Sequence, residues 1–158
     1  MIAIETEAFT RELYDELLPL VHKCWDECTQ IKGETCAFHG DRDFEIQPDF
    51  DAYAKLGESL VVVTLRDDGD LQGYVVGFVH YSLHNKTTLC GFGDSIYTIK
   101  GYRCFAPVLI DKFVDEMRRL KAEIIGWPTH PEGPVFDLLK ARGFIGDDVV
   151  MEKRLRCA

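Results

Sequence analysis

Six cysteines and a few imidazoles and carboxylates are the side chains whose types could do chemistry in this chain. Cys24, Cys28, Cys36 and His39 have the types of a zinc set. Their spacing argues against one: Cys24 and Cys28 are four apart inside a helical pattern, and no paired Cys-x-x-Cys follows. No metal is therefore expected, and Cys24 and Cys28 read as small apolar core residues. Cys104 stands at a helix start, where a thiol's pKa falls, yet no sequence feature assigns it a partner base. Proton transfer has more candidates. The imidazoles of His80 and His130 can move a proton near neutral pH; His80, mid-strand among apolar residues, also reads as a core histidine, and His130 as a loop residue between Thr129 and Pro131. The carboxylates of Asp94 and Glu45 can take a proton, and equally read as a turn residue and a solvated loop residue. No Walker motif or nucleophile-elbow serine is present.

The elements that must position these groups follow from hydrophobic period. Ile2 to Ile4 reads as a short strand. Phe9, Leu13, Leu17, Val21, Cys24 and Cys28 fall on one face at three- and four-residue steps, which predicts a helix from Thr10 to Thr29. Thr10 can cap it, Phe9 and Tyr14 can staple it, and Pro19 should kink or split it. Residues 30–47 read as a long polar loop, and Pro48-Asp49 open a short helix closed by Gly57. Leu60 to Arg66, Leu71 to Leu83 and Thr88 to Ile99 read as three meander strands, with turns at Asp67–Asp70 and Asn85-Lys86. Gly73 and Gly77 mark bulges or close backbone approach. Pro107 begins an amphipathic helix carrying Val108, Leu109, Phe113, Val114, Met117 and Leu120. A strand at Glu123–Trp127, a helix from Pro134 to Arg142 ended by Gly143, and a strand at Val149–Leu155 complete one α/β (α+β) domain spanning residues 1–158, with a mixed, mostly antiparallel central sheet flanked by helices.

The chain has 158 residues, 46% hydrophobic and 28% charged, the balance of a folded protein. Its net charge is −9, and residues 1–52 carry all of it, with 13 acids against 4 bases. Such a chain repels phosphate backbones, so nucleic acid is not an expected partner. The acidic third suits a cationic small molecule or a basic protein surface, or serves solubility alone. No apolar run nears the roughly 20 residues of a membrane span, and the first residues lack the features of a signal peptide. A cytoplasmic location with reduced thiols is expected.

Two stretches resemble the GNAT N-acetyltransferase superfamily. Asp94-Ser-Ile-Tyr-Thr-Ile-Lys-Gly-Tyr-Arg103 is similar to the family's strand and its approach to the acetyl-coenzyme A loop. Pro134-Val-Phe-Asp-Leu-Leu-Lys-Ala-Arg-Gly-Phe144, followed by Met151-Glu-Lys-Arg-Leu155, resembles its penultimate helix and last strand. The element order agrees over nearly the whole chain, in the style of small bacterial and phage-type members. The resemblance implies acetyl-coenzyme A as cosubstrate and an amine as acceptor: a cationic small molecule, or a basic or host protein in the host cytoplasm. A homodimer is compatible with it.

It also implies site roles. The backbone of Ile96, Tyr97, Thr98 and Ile99 would pair with the pantetheine arm where the strand splays from its neighbour, with glycines in the central strands accommodating the split. Arg103, Cys104, Phe105 and Ala106 would line the pyrophosphate at a helix N-terminus, where unpaired N–H groups favour anions. His130 would protonate the leaving thiolate, because Leu139 stands where many members have a tyrosine. Asp94, His80 or Glu45 would take the proton of the amine. The family's glycine-rich turn is replaced by Cys104-Phe105-Ala106-Pro107, which puts the bulk of Phe105 and the donor-less nitrogen of Pro107 there. The alternative function is a GNAT-fold protein of weak or no activity that binds and modulates a partner.

Overall fold

The computed structural model describes residues 1–32, 46–129 and 133–146. Their contacts form two units: one holds residues 1–21 and 48–127, the other the described residues among 22–47 and 128–146. The loop residues Glu45 and His130, the cysteine–histidine pair Cys36 and His39, and the strand expected at Val149–Leu155 lie outside the described residues.

The first unit is built on strands β1 (Ile2–Glu7), β2 (Leu60–Asp67), β3 (Asp70–Tyr81), β4 (Leu89–Thr98) and β5 (Ile124–Gly126). They form one sheet in the order β1-β2-β3-β4-β5. Pairing is antiparallel from β1 to β4, and parallel between β4 and β5. The β2–β3 hairpin closes through Asp68 and Gly69 at φ 50° and 94°, the two positive φ values that a tight hairpin turn matching the strand twist requires.

One sheet face carries Val61, Val63, Leu65 and Val75, packed on Leu109, Phe113 and Met117 of helix α3 (Ala106–Arg119). These three helix residues recur at four-residue steps, so a single stripe meets the sheet; Val108, expected on that stripe, is exposed. Gly77 has its side-chain position on this face. A Cβ there would stand 2.3 Å from the Phe92 carbonyl and 2.5 Å from the Phe113 ring, so glycine is what lets α3 approach the backbone.

The opposite face buries Val62, Thr64, Tyr74 and Val76. Helix α1 (Arg11–Lys32) stands over it through residues 11–21: Leu13, Leu17 and Leu20 are buried, and Glu16 accepts from Arg66 Nη1 at 2.6 Å. Thr10 caps α1 by accepting from the Leu13 N–H at 3.2 Å, and Phe9 meets Tyr14 edge-on at 6.2 Å, the expected cap and staple. Pro19 does not split the helix. Its interior cost is about 3 kcal/mol, whereas burying three leucines contributes roughly 1.5–3 kcal/mol each. Helix α2 (Phe50–Ala54) is capped by Asp49 Oδ1, which accepts from the N–H groups of Asp51 and Ala52. Gly57, expected to close this helix, instead opens a following 3-10 turn (Gly57–Ser59) at φ 53°.

In the second unit, helix α4 (Pro134–Lys140) starts on Pro134 and ends where Gly143, at φ 80°, donates to the Lys140 carbonyl and Phe144 to that of Leu139. That is the expected glycine stop. Leu139 is buried. Cys24 and Cys28 are half-buried rather than core residues. Among the described residues, no helix is long and apolar enough to cross a membrane.

Candidate functional site

The site is an opening in the sheet of the first unit. Strands β4 and β5 pair at only three positions, Cys90 with Ile124, Gly91 with Ile125 and Phe92 with Gly126. Strand β4 continues to Thr98. Its edge from Gly93 to Thr98 meets no strand on the β5 side among the described residues, a length of about 20 Å at ~3.3 Å per residue. A strand edge adds an extended ligand as one more strand where its N–H and C=O groups face outward.

A bulge sits where the opening begins. Val76 pairs with Ser95 and Gly77 with Gly93, so Asp94 is the extra residue on β4. A bulge leaves its extra residue outside the ladder and turns the strand. Just past the last β4–β5 pair, the Trp127 indole occupies the side-chain position of Gly93: a Cβ there would lie 2.3 Å from its Cδ2. The indole also meets Phe113 edge-on at 5.3 Å. Gly77 and Gly93 therefore admit Phe113 and Trp127 on the α3 face. That packing, not relief of the split itself, is why these central strands hold glycine.

The far end differs from the expected loop. Residues Lys100–Phe105 form a 3-10 turn that runs directly into α3. Tyr102 donates its N–H to the Ile99 carbonyl at 2.8 Å, and Ala106 donates to Arg103. The helical run thus starts at Ile99, well before the Pro107 start that the sequence implies. The Ala106 amide is used inside the run and Pro107 has none. The leading N–H groups belong to Lys100 and Gly101, which have no partner within a 3-10 turn at those positions. Phe105 does not crowd this end: its ring packs inward on the core beside Tyr102, 6.4 Å away. Tyr102 is itself tied down, its hydroxyl donating to Asp67 Oδ2 at 2.9 Å. That bond helps lower the Asp67 carboxyl, after the larger effect of the N-terminal ammonium, and raises the phenol. Arg103 and Cys104 are exposed.

Of the residues expected on the cosubstrate side, Tyr97 and Thr98 have buried side chains and Ile96 packs on the α3 core. Their side chains are thus taken up in packing, and the Ile99 N–H and C=O are already bonded, to the Gln72 carbonyl and the Tyr102 N–H.

Among the proton-transfer candidates, Asp94 is exposed at the bulge and accepts the Tyr53 hydroxyl at 2.6 Å on Oδ2. Burial, then this bond, pushes the Tyr53 phenol up, so it stays protonated and acts as a donor. His80 is exposed at the end of β3 rather than a core histidine, with Nδ1 3.1 Å from the Tyr81 carbonyl oxygen. It pairs in register with Cys90, four residues from Asp94 along β4 and so about 13 Å from the bulge. The structure therefore does not bring these two together. Tyr53 and Trp127 escaped the sequence reading. Tyr53 meets Asp94 across 41 residues, and no periodicity signals such a pair.

No family model matches the chain, and no curated protein matches it. Solved structures do. An aminoglycoside acetyltransferase from an uncultured soil metagenomic sample, in complex with trehalose, is 12% identical at a TM-score of 0.72, over 99% of this chain and 97% of that one. AAC(6')-Iy, bound to the bisubstrate analogue CoA-S-monomethyl-acetylneamine, is 16% identical at 0.63, over 99% of both chains. The ribosomal-protein-alanine N-acetyltransferase of Brucella melitensis is 16% identical at 0.64, over 98% of this chain and all of that one. At these identities the likeness is one of fold: the chain has the mixed α/β architecture of the GNAT N-acetyltransferases.

Proposed function

We propose that this chain is an N-acetyltransferase that moves the acetyl group of acetyl-coenzyme A to an amine nitrogen. The observation that carries the reading is that β5 leaves β4 after Phe92, short of the helical run that follows Ile99, in a fold shared with acetyltransferases. The end of β4 towards Thr98 meets the amides of the pantetheine arm, whereas the Ile99 N–H and C=O are already bonded, to the Gln72 carbonyl and the Tyr102 N–H. The leading N–H groups of Lys100 and Gly101, with the side chains of Lys100 and Arg103, receive the pyrophosphate.

The amine nitrogen attacks the thioester carbonyl carbon; the C–N bond forms and the C–S bond breaks. One proton leaves nitrogen and one reaches sulfur. Asp94, exposed at the mouth of the opening, takes the first. His130 serves the second, or the thiolate departs unassisted. His80, some 13 Å along the strand at ~3.3 Å per residue, is a weaker choice of base, and Glu45 is the third candidate. The rate derives mainly from holding the two reactants in line beside fixed backbone donors. The acidic N-terminal third favours a cationic acceptor, either a polyamine-like molecule or a protein lysine.

One observation favours the partner-binding alternative: the Ala106 amide is spent within the helical run and no glycine loop replaces it. Titration calorimetry with acetyl-coenzyme A separates the two. Saturable binding that Arg103→Glu weakens, with thiol release in the presence of amines, supports the transferase. Absence of saturable binding overturns it.

A further inference from the structure

The Tyr53–Asp94 bond links helix α2 to the bulge in β4, two elements far apart in sequence. Three observations bear on its purpose. The bulge takes Asp94 out of the ladder, so its carboxylate stands apart from the paired strands. The carboxylate is exposed, yet one oxygen is held by a phenol that is itself locked: Tyr53 is half-buried, and its ring lies 5.9 Å from Phe9, within a cluster that includes Phe50 and Tyr14. Oδ2 carries this bond, which leaves Oδ1 to a ligand. A free surface aspartate rotates between rotamers, whereas one held by a rigid phenol presents its second oxygen in a fixed direction.

We propose that Tyr53 is a positioning residue that orients Asp94 so that Asp94 Oδ1 receives the ammonium of a cationic acceptor at the mouth of the β4 opening. This deepens the transferase reading, and the ligand class is a primary or secondary alkylammonium. The charge belongs to Asp94 and the direction to Tyr53. Removing the charge abolishes the attraction, while removing the phenol only frees the carboxylate to turn. Tyr53 acts solely through Asp94, so its effect must vanish once the charge is gone.

The test is calorimetric titration of spermidine, and separately of poly-lysine, into the full chain without acetyl-coenzyme A. Wild type, Tyr53→Phe, Asp94→Asn and the double variant are compared, and melting curves confirm that each is folded. Asp94→Asn is expected to weaken amine binding at least about tenfold, the range for losing a hydrogen bond to a charged group. Tyr53→Phe is expected to weaken it about threefold to tenfold, the range of one hydrogen bond. The double variant should match Asp94→Asn alone, and Asp94→Glu should recover part of the loss. In acetyl-transfer assays Tyr53→Phe should raise the KM for spermidine and leave that for acetyl-coenzyme A unchanged, a split that general loosening of α2 would not produce. Unchanged affinity in Asp94→Asn, a Tyr53→Phe loss that persists when Asp94→Asn is already present, or failure of both probes to bind wild type overturns the proposal. Amine binding without acetyl transfer would remove the transferase reading and leave this inference standing; acetyl transfer with amine affinity indifferent to both residues would do the reverse.

Discussion

Substituting Gly93 by alanine tests how the opening is held. The added Cβ would lie 2.3, 2.6 and 2.7 Å from three atoms of the Trp127 indole, where ordinary contact begins near 3.4 Å, so the indole must retreat by about 1 Å. It cannot retreat towards the helix: Phe113, its edge-on partner at 5.3 Å, is fully buried and itself rests on Gly77. Overpacking of this kind costs roughly 1–3 kcal/mol. In a chain of this size each kcal/mol lowers Tm by about 2–4 °C, so a fall of about 2–12 °C is expected by calorimetry or circular dichroism. Trp127 follows the last β4–β5 pair, so the same displacement should weaken acetyl-coenzyme A binding. Trp127→Leu removes the obstructing ring, and the Gly93→Ala/Trp127→Leu pair should lose less stability than the two single losses added together. A Gly93→Ala protein with wild-type Tm, or strictly additive losses, would refute the reasoning.

Other perturbations probe the scaffold. Arg66 donates to Glu7 through Nε at 2.7 Å and Nη2 at 3.1 Å, while Glu7 also accepts from the Thr64 hydroxyl, and both charged side chains are mostly buried. Glu7→Gln should cost about 1.5–3 kcal/mol by urea unfolding, the range for hydrogen bonds to charged groups. The Arg66 bond holds the Glu7 carboxyl below its ordinary value. The depressed folded-state pKa means that its contribution is fully present above the ordinary value of 4.5 and is lost as pH falls through the lower folded value. Stability measured from about pH 6 down to about pH 3 should therefore fall less steeply in Glu7→Gln than in wild type. Gly69→Ala forces alanine to φ 94° and should lower stability by about 1 kcal/mol or more, whereas Asp68→Asn, which tolerates the left-handed region, should be nearly neutral by the same measurement.

Local signals in the sequence determined much of this protein: the Thr10 and Asp49 caps, the Asp68-Gly69 turn, the α3 stripe at Leu109, Phe113 and Met117, and the Gly143 stop. Each depends on torsions or periodicity within a few residues, so the amino acids on the spot decide it. Tertiary structure alone decided where β5 leaves β4, that the helical run begins at Ile99, that Pro19 is carried inside α1, and that Tyr53 meets Asp94. Those outcomes are balances between segments distant in the chain. An indole on a glycine, three buried leucines against one lost helical bond, and a phenol 41 residues from its acceptor exist only once the sheet has brought them together.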